Sequence, residues 1–221
     1  MKTLIIQLAR FGDILQSTPA INAYKRSYPD REVHVLVRER FATMGQFIMG
    51  ADKVKVWRTG QILEPLVSNP ENTLASIGLM ESAVDDLLRE GYDKIFNISY
   101  SPFSSFLTSL IAVDESNVVG YTRYADGYLS IPDDTSRFFY SQVGIDRPNR
   151  VHLTDIFAAT LDVQVNDEDK AVHDQWVQPN LIARHKELLR GRYVVLHVGS
   201  SQAEKSVGVF KWKQIIRKIK K

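Results

Sequence analysis

An α/β fold on a parallel sheet is what this chain predicts, from two observations. Short apolar runs alternate with helix-patterned stretches along most of the 221 residues, the order expected of strands joined by crossover helices. The first run, Leu4-Ile5-Ile6-Gln7-Leu8, leads directly into Arg10-Phe11-Gly12-Asp13 and then Ile14-Leu15-Gln16-Ser17-Thr18-Pro19-Ala20-Ile21. This reads as a strand, a tight glycine turn and a helix start, with an acid on the turn. In open α/β sheets, chemistry collects just beyond the carboxyl ends of the strands, where Asp13 would sit.

The remaining elements follow in order. Thr18-Pro19 reads as a helix start, with Thr as N-cap and Pro at the first helical position. Val33 to Val37 is a second strand, Phe41 to Met49 a short helix, and Val54 to Trp57 a third strand. Ile77 to Arg89 is an amphipathic helix that Gly91 can close. Asp93 to Ile98 is a fourth strand, Phe103 to Ala112 a helix, and Asn117 to Tyr121 a fifth strand. Residues Arg123 to Arg150 lack a regular pattern, and a loop of that length often carries function. His152 to Leu161 is helical, Asp162 to Pro179 is polar and loosely patterned, and Leu181 to Leu189 is a helix candidate. Arg192 to Val198 reads as a strand closed by Gly199-Ser200-Ser201. Finally Trp212, Ile215, Ile216 and Ile219 fall on one helix face. That face has no sheet to cover, which predicts poor solubility or dimerisation.

At 44% hydrophobic and 24% charged residues, the composition is that of an ordinary soluble globular protein. The absence of cysteine excludes disulfides, thiolate metal sites and a cysteine nucleophile. The net charge of +2 hides an asymmetry: Lys205 to Lys221 hold seven of the 28 basic residues and no acid. The other 204 residues balance 21 bases against 26 acids, a net −5. A mildly acidic body argues against a general nucleic-acid binder. The basic tail reads as a solvated helix face, with nucleic acid or anionic lipid as the alternative. No apolar stretch approaches the roughly 20 residues of a membrane span. The start lacks a cleavage signal, so a cytoplasmic protein is expected. His34, His152, His173, His185 and His197 show no metal spacing, and His34 and His197 read as packing residues within strands. The chain has no G-x-G-x-x-G, no Walker A and no G-x-S-x-G, which weighs against a dehydrogenase, a P-loop nucleotidase and a serine hydrolase.

The candidate site residues each have a plain structural reading beside the functional one. Asp13 either does chemistry at the strand end or caps the helix. Gly12 permits a sharp turn and close approach of a ligand. Backbone N–H groups of residues 11–13 can bind an anion, with Arg10 assisting or merely solvated. Gly199-Ser200-Ser201 can hold a diphosphate or be a simple strand-to-helix turn. Arg123, Tyr124 and Asp126 follow the fifth strand, and Asn97 and Ser99 to Ser101 end the fourth, on the expected active face.

Residues 4–21 resemble the opening of the heptosyltransferases, glycosyltransferase family 9. Those proteins begin with a strand, a Gly-Asp followed by two apolar residues, and a Thr-Pro. Gly12-Asp13-Ile14-Leu15 and Thr18-Pro19-Ala20 match that order. A weaker likeness covers residues 193–216: a strand, a glycine-serine turn and a helix with Trp212 near its start. The resemblance implies a GT-B arrangement of two Rossmann-like domains. The acceptor domain would span 1–165 and a linker 166–190, and 191–221 would be the first strand-helix unit of a truncated nucleotide-sugar domain.

The implied activity is inverting transfer from ADP-heptose, or another nucleotide-sugar, to the lipopolysaccharide inner core. No cofactor, metal or nucleic acid is implied. The acceptor's anchorage implies peripheral contact with the inner membrane. Asp13 would be the base, and Arg10, Gly12 and Arg123 would bind the acceptor. Gly199, Ser200 and Ser201 would steady the diphosphate with Lys205 or Lys211. The family's phosphate lysine lies two residues before the Trp, where this chain has Phe210, so both lysines stay in play. Two rival readings are a catalytically inactive acceptor- or partner-binding domain, and a Rossmann-like domain for some other phosphorylated ligand.

Overall fold

Along a strand, successive side chains point to opposite faces of the sheet. An unbroken apolar run therefore forms a strand only where both faces are covered, and that is how the runs of this chain are used. The computed structural model describes residues 1–142, 150–171, 186, 190, 192–199 and 206–219. They divide into two units, Met1–Trp176 and Val177–Lys221.

In the first unit five strands, β1 (Lys2–Ile6), β2 (Glu32–Arg38), β3 (Lys53–Trp57), β4 (Lys94–Asn97) and β5 (Val118–Gly120), form one parallel sheet. Their order is β3-β2-β1-β4-β5, so the winding reverses between β1 and β4. Such a reversal opens a crevice at the carboxyl end of the sheet. Ile5, Val33, Val35, Val37 and Phe96 lie under α1 (Phe11–Ser27) and α6 (Leu153–Thr160), whose Ile14, Ile21, Tyr24 and Phe157 complete one core. Leu4, Ile6, Leu36, Ile95 and Val118 pack on the other face. They meet Ile62 of α2 (Thr59–Ser68), Leu87 of α3 (Thr73–Leu88), and Leu107 and Ile111 of α4 (Pro102–Ile111). Each such side chain contributes about 1.5–3 kcal/mol when fully buried.

The amino end of the sheet is closed by charge. Glu90 accepts from Lys2 Nζ at 2.8 Å and Lys53 Nζ at 3.4 Å, and also pairs with Lys55. These lysines, Lys2 first, hold the Glu90 carboxyl well below the usual carboxylate range. A depressed folded-state pKa adds stability that is present above the unfolded value and lost as pH falls through the folded one. The urea midpoint is therefore expected to fall as pH drops below about 4.5. A Glu90→Gln variant should have a lower midpoint at pH 7 and lose this part of the acid dependence. Parallel titrations of both proteins from pH 7 to pH 3 check it; identical profiles would contradict it.

Several elements depart from the sequence expectation. Helix α1 begins at Phe11, and Thr18-Pro19 lies inside it. The Ser17 and Thr18 hydroxyls both donate to the Ile14 carbonyl, at 2.8 and 3.0 Å, the habit of such residues within a helix. The helix start is set upstream by Asp13. Residues 39–47 form a 3-10 segment, and α2 is an additional helix before α3. The irregular stretch after β5 holds a hairpin of β6 (Thr122–Arg123) and β7 (Leu129–Ser130), then α5 (Asp134–Gln142). Residues 163–170 pack against α1. There the exposed Arg26 grips the buried Asp169 carboxylate through Nε at 3.1 Å and Nη2 at 2.8 Å. His34 is buried in β2, with its ring nitrogens on Tyr92 Oη at 3.0 Å and Glu32 Oε1 at 2.8 Å.

In the second unit the described residues include α7 (Val209–Ile219), on which Ile216 and Ile219 are exposed. Residues 192–199 form no strand, contrary to expectation. A strand exists through ladder pairing, and this segment has no paired neighbour among the described residues. His197 is accordingly exposed instead of packed. The helix expected over 181–189 lies outside the described residues apart from Lys186. No helix among the described residues is long and apolar enough to cross a membrane.

Candidate active site

The crevice between β1 and β4 is a cavity of about 360 Å³. After β1 come Leu8, Ala9, Arg10 and Asp13; after β2, Arg38, Arg40 and Phe41; after β4, Ser99 and Ser101. The β1 and β4 loops are tied to each other. Leu8 N–H donates to Ser99 Oγ at 2.6 Å, and Ser99 Oγ donates to the Ile6 carbonyl at 3.0 Å. Ser99 N–H in turn donates to Asn97 Oδ1 at 3.1 Å, and Asn97 Nδ2 donates to the Tyr121 carbonyl at 2.7 Å. The floor of the cavity is thus a network of short, mutually oriented bonds.

Asp13 is the third residue of α1, and its Oδ2 accepts from the Arg10 N–H at 3.0 Å. The capping reading is therefore realised. One carboxylate oxygen fixes the turn, and the half-buried side chain lines the cavity. The N–H groups of Phe11 and Gly12 open the helix and have no intrahelical acceptor. Gly12 does not adopt a left-handed backbone, and a Cβ on it would meet nothing within 4 Å. The turn therefore does not demand a glycine; the missing side chain instead leaves the helix end open to a ligand.

Three arginines, Arg10, Arg38 and Arg40, share the cavity with this single carboxylate. None is paired with a carboxylate among the described residues. Arg40 stands over the Phe41 ring at 5.9 Å. The sequence reading singled out Arg10 and missed Arg38 and Arg40. Their signal was available as two arginines at the carboxyl end of the second strand, but only the strand order shows that this end adjoins Asp13. Arg123 does not reach the cavity. Its Nε donates to Ser105 Oγ at 2.8 Å, Nη1 to the Gly127 carbonyl at 3.1 Å, and its guanidinium covers Phe106 at 4.3 Å. It lines a neighbouring cavity that shares Ser101 with the first. In the second unit Gly199 is exposed and Lys211 is exposed on α7, while Ser200, Ser201 and Lys205 lie outside the described residues.

No protein-family model matches this chain, and no curated protein matches it. Solved structures do. The glycosyl transferase family 9 protein of Veillonella parvula DSM 2008 matches with TM-score 0.61 and 13% identity, over 97% of this chain and 58% of that one. The chain therefore has a Rossmann-like, GT-B-type glycosyltransferase fold. The same fold is found in heptosyltransferase structures. E. coli heptosyltransferase WaaC with ADP matches at TM-score 0.59 and 16% identity, over 99% of this chain and 64% of that one. The same enzyme with ADP-2-deoxy-2-fluoro heptose matches at TM-score 0.59 and 17% identity, over 99% and 65%. The chain spans roughly three fifths of the length of the structures it matches.

Proposed function

We infer that this chain carries the acceptor site of an inverting glycosyltransferase, with Asp13 as the base. The observation that carries the reading is one carboxylate among three arginines without carboxylate partners, at the reversal point of the sheet. In such a transfer the acceptor hydroxyl oxygen bonds to the anomeric carbon as the bond from that carbon to the diphosphate breaks. The hydroxyl proton passes to Asp13, and the nucleoside diphosphate departs. A carboxylate in the first turn of a helix is stabilised as the anion, which weakens it as a base. It then works by position, taking a proton that the oxygen has already begun to release as it bonds.

Three arginines lining one cavity suit an acceptor sugar bearing carboxylates or phosphates. The neighbours' ADP and ADP-sugar ligands support ADP-heptose as donor; the lipopolysaccharide inner core is the acceptor that the resemblance of residues 4–21 implies. Gly199, Ser200 and Ser201, with Lys205 or Lys211, would steady the leaving diphosphate. An acceptor held in the cytoplasmic leaflet would bring the protein to the inner-membrane surface from the cytoplasm.

Calorimetric titration with a soluble inner-core acceptor tests the site. Arg38→Ala and Arg40→Ala should each weaken binding by at least about tenfold, the scale of one charge-assisted hydrogen bond. The loss should shrink at high salt. Unchanged affinity in both variants would remove the arginine cavity as the acceptor site. Acceptor binding without transfer from ADP-heptose would favour the non-catalytic, acceptor-binding reading.

A further inference from the structure

Exposed apolar side chains are ordinary when scattered, but those of the α2–α3 hairpin are aligned. The two helices pack on each other, and the Leu66 N–H donates to the buried Ser76 Oγ at 3.2 Å between them. On α3, Leu74, Ile77, Glu81, Asp85 and Leu88 recur at the spacing of one helix face, and all five are exposed. Near the end of α2, Val67 is as exposed as Leu74, at 81%. The face is thus apolar beside the turn and acidic further along α3.

Charge singles out the same hairpin. Residues 59–88 hold five acids, Glu64, Glu71, Glu81, Asp85 and Asp86, and no base. They account for the whole acidic excess of residues 1–204; the rest of that stretch is balanced. The opposite charge is gathered in Lys205 to Lys221, seven bases without an acid, and α7 lies within it. On α7 the exposed Ile216 and Ile219 are flanked by the exposed Lys213 and Arg217. One surface is apolar with acids and the other apolar with bases. In each the charges repeat four residues apart, Glu81 with Asp85 and Lys213 with Arg217. An amphipathic helix laid on an apolar face, with opposite charges at the rim, is a recurrent mode of recognition.

We propose that the exposed face of the α2–α3 hairpin docks helix α7 of a second copy of this chain. When each copy docks the α7 of the other, the contact occurs twice and closes into a two-fold dimer. Neither surface includes a residue that lines the Asp13 cavity, so the dimer stands or falls apart from the acceptor reading. Sedimentation velocity of the chain should show a monomer–dimer equilibrium. Its dissociation constant should rise at least about tenfold from about 0.1 to 1 M salt, as the screening length shrinks from about 10 to 3 Å. Reversing one side, by Glu81→Lys with Asp85→Lys or by Lys213→Glu with Arg217→Glu, should weaken the dimer at least about tenfold, because like charges then meet. All four positions are exposed, and thermal melts matching the parent's keep a folding defect from imitating the loss. Mixed together, the two double variants should pair at the parent's affinity, since opposite charges then meet at both contacts. A synthetic peptide of residues 205–221 should shift the NMR signals of residues 74–88 in the isotope-labelled chain and dissociate the dimer.

A chain that is monomeric at every concentration overturns the proposal. So does a dimer that ignores the α3 substitutions but is lost with those on α7, which would mean that α7 pairs with α7. A dimer lost in both double variants and not regained on mixing them overturns it as well. None of these results touches the acceptor reading, which is tested by acceptor affinity alone.

Discussion

Asp13→Asn is expected to fold normally, to bind the acceptor as well as the parent, and to lose turnover by about 10²–10⁴-fold. The amide keeps an oxygen that can accept from the Arg10 N–H, the bond that Asp13 Oδ2 makes at 3.0 Å, so the start of α1 is preserved. It gives up the capacity to take a proton. The three arginines remain, so an anionic acceptor loses none of its partners and affinity should hold or rise slightly. Initial rates of heptose transfer from ADP-heptose, with a thermal melt of the same sample, separate chemistry from folding. Retained turnover in a folded protein would remove Asp13 as the base. A loss of turnover that tracks a loss of melting temperature would reduce Asp13 to a cap.

Gly120→Ala is expected to have the largest effect on stability. Gly120 ends β5 with φ +96°, and a Cβ there would lie 2.1 Å from the Asn97 carbonyl oxygen and 2.9 Å from its carbon. Both atoms are backbone of β4 and cannot swing aside. The Gly120 N–H is also committed, donating to Asp133 Oδ2 at 2.7 Å, which holds the strand end to the loop before α5. Left-handed strain plus this overlap should cost about 3–5 kcal/mol, a fall of roughly 10 °C in melting temperature for a unit of this size. Urea denaturation measures it, and a cost under about 1 kcal/mol would show that the strands separate easily. Asn97 bonds to Ser99 and to the Tyr121 carbonyl, so a displaced β4 would also distort the floor of both cavities.

Strands buried on both faces were legible because each side chain along them is apolar: Leu4 to Ile6 and Val33 to Val37 need no partner to be recognised. Asp13 was legible because position along the chain places it at a strand end. Helix α2 was not, since only Ile62 is buried along it and Gly60 and Pro65 interrupt its pattern. The segment 192–198 misled for the opposite reason. Its apolar residues spell a strand, yet pairing is a property of neighbours and not of the segment. Arg38, Arg40 and the displaced position of Arg123 share one cause. Which loops meet depends on strand order and on a hairpin of two-residue strands, and neither leaves a periodic trace in the sequence.

The opposed ends of β1 have a practical consequence. The Lys2 N–H donates to Asp93 at 2.6 Å and its side chain joins the Glu90 cluster, whereas the arginine cavity opens beyond the other end of the strand, about 20 Å away at some 3.3 Å per residue. A linker or surface tether attached at Met1 would therefore leave from the face opposite the cavity. Immobilised in that orientation, the protein would present Asp13 and its arginines to a passing vesicle or soluble saccharide, a geometry suited to measuring acceptor capture on a sensor chip.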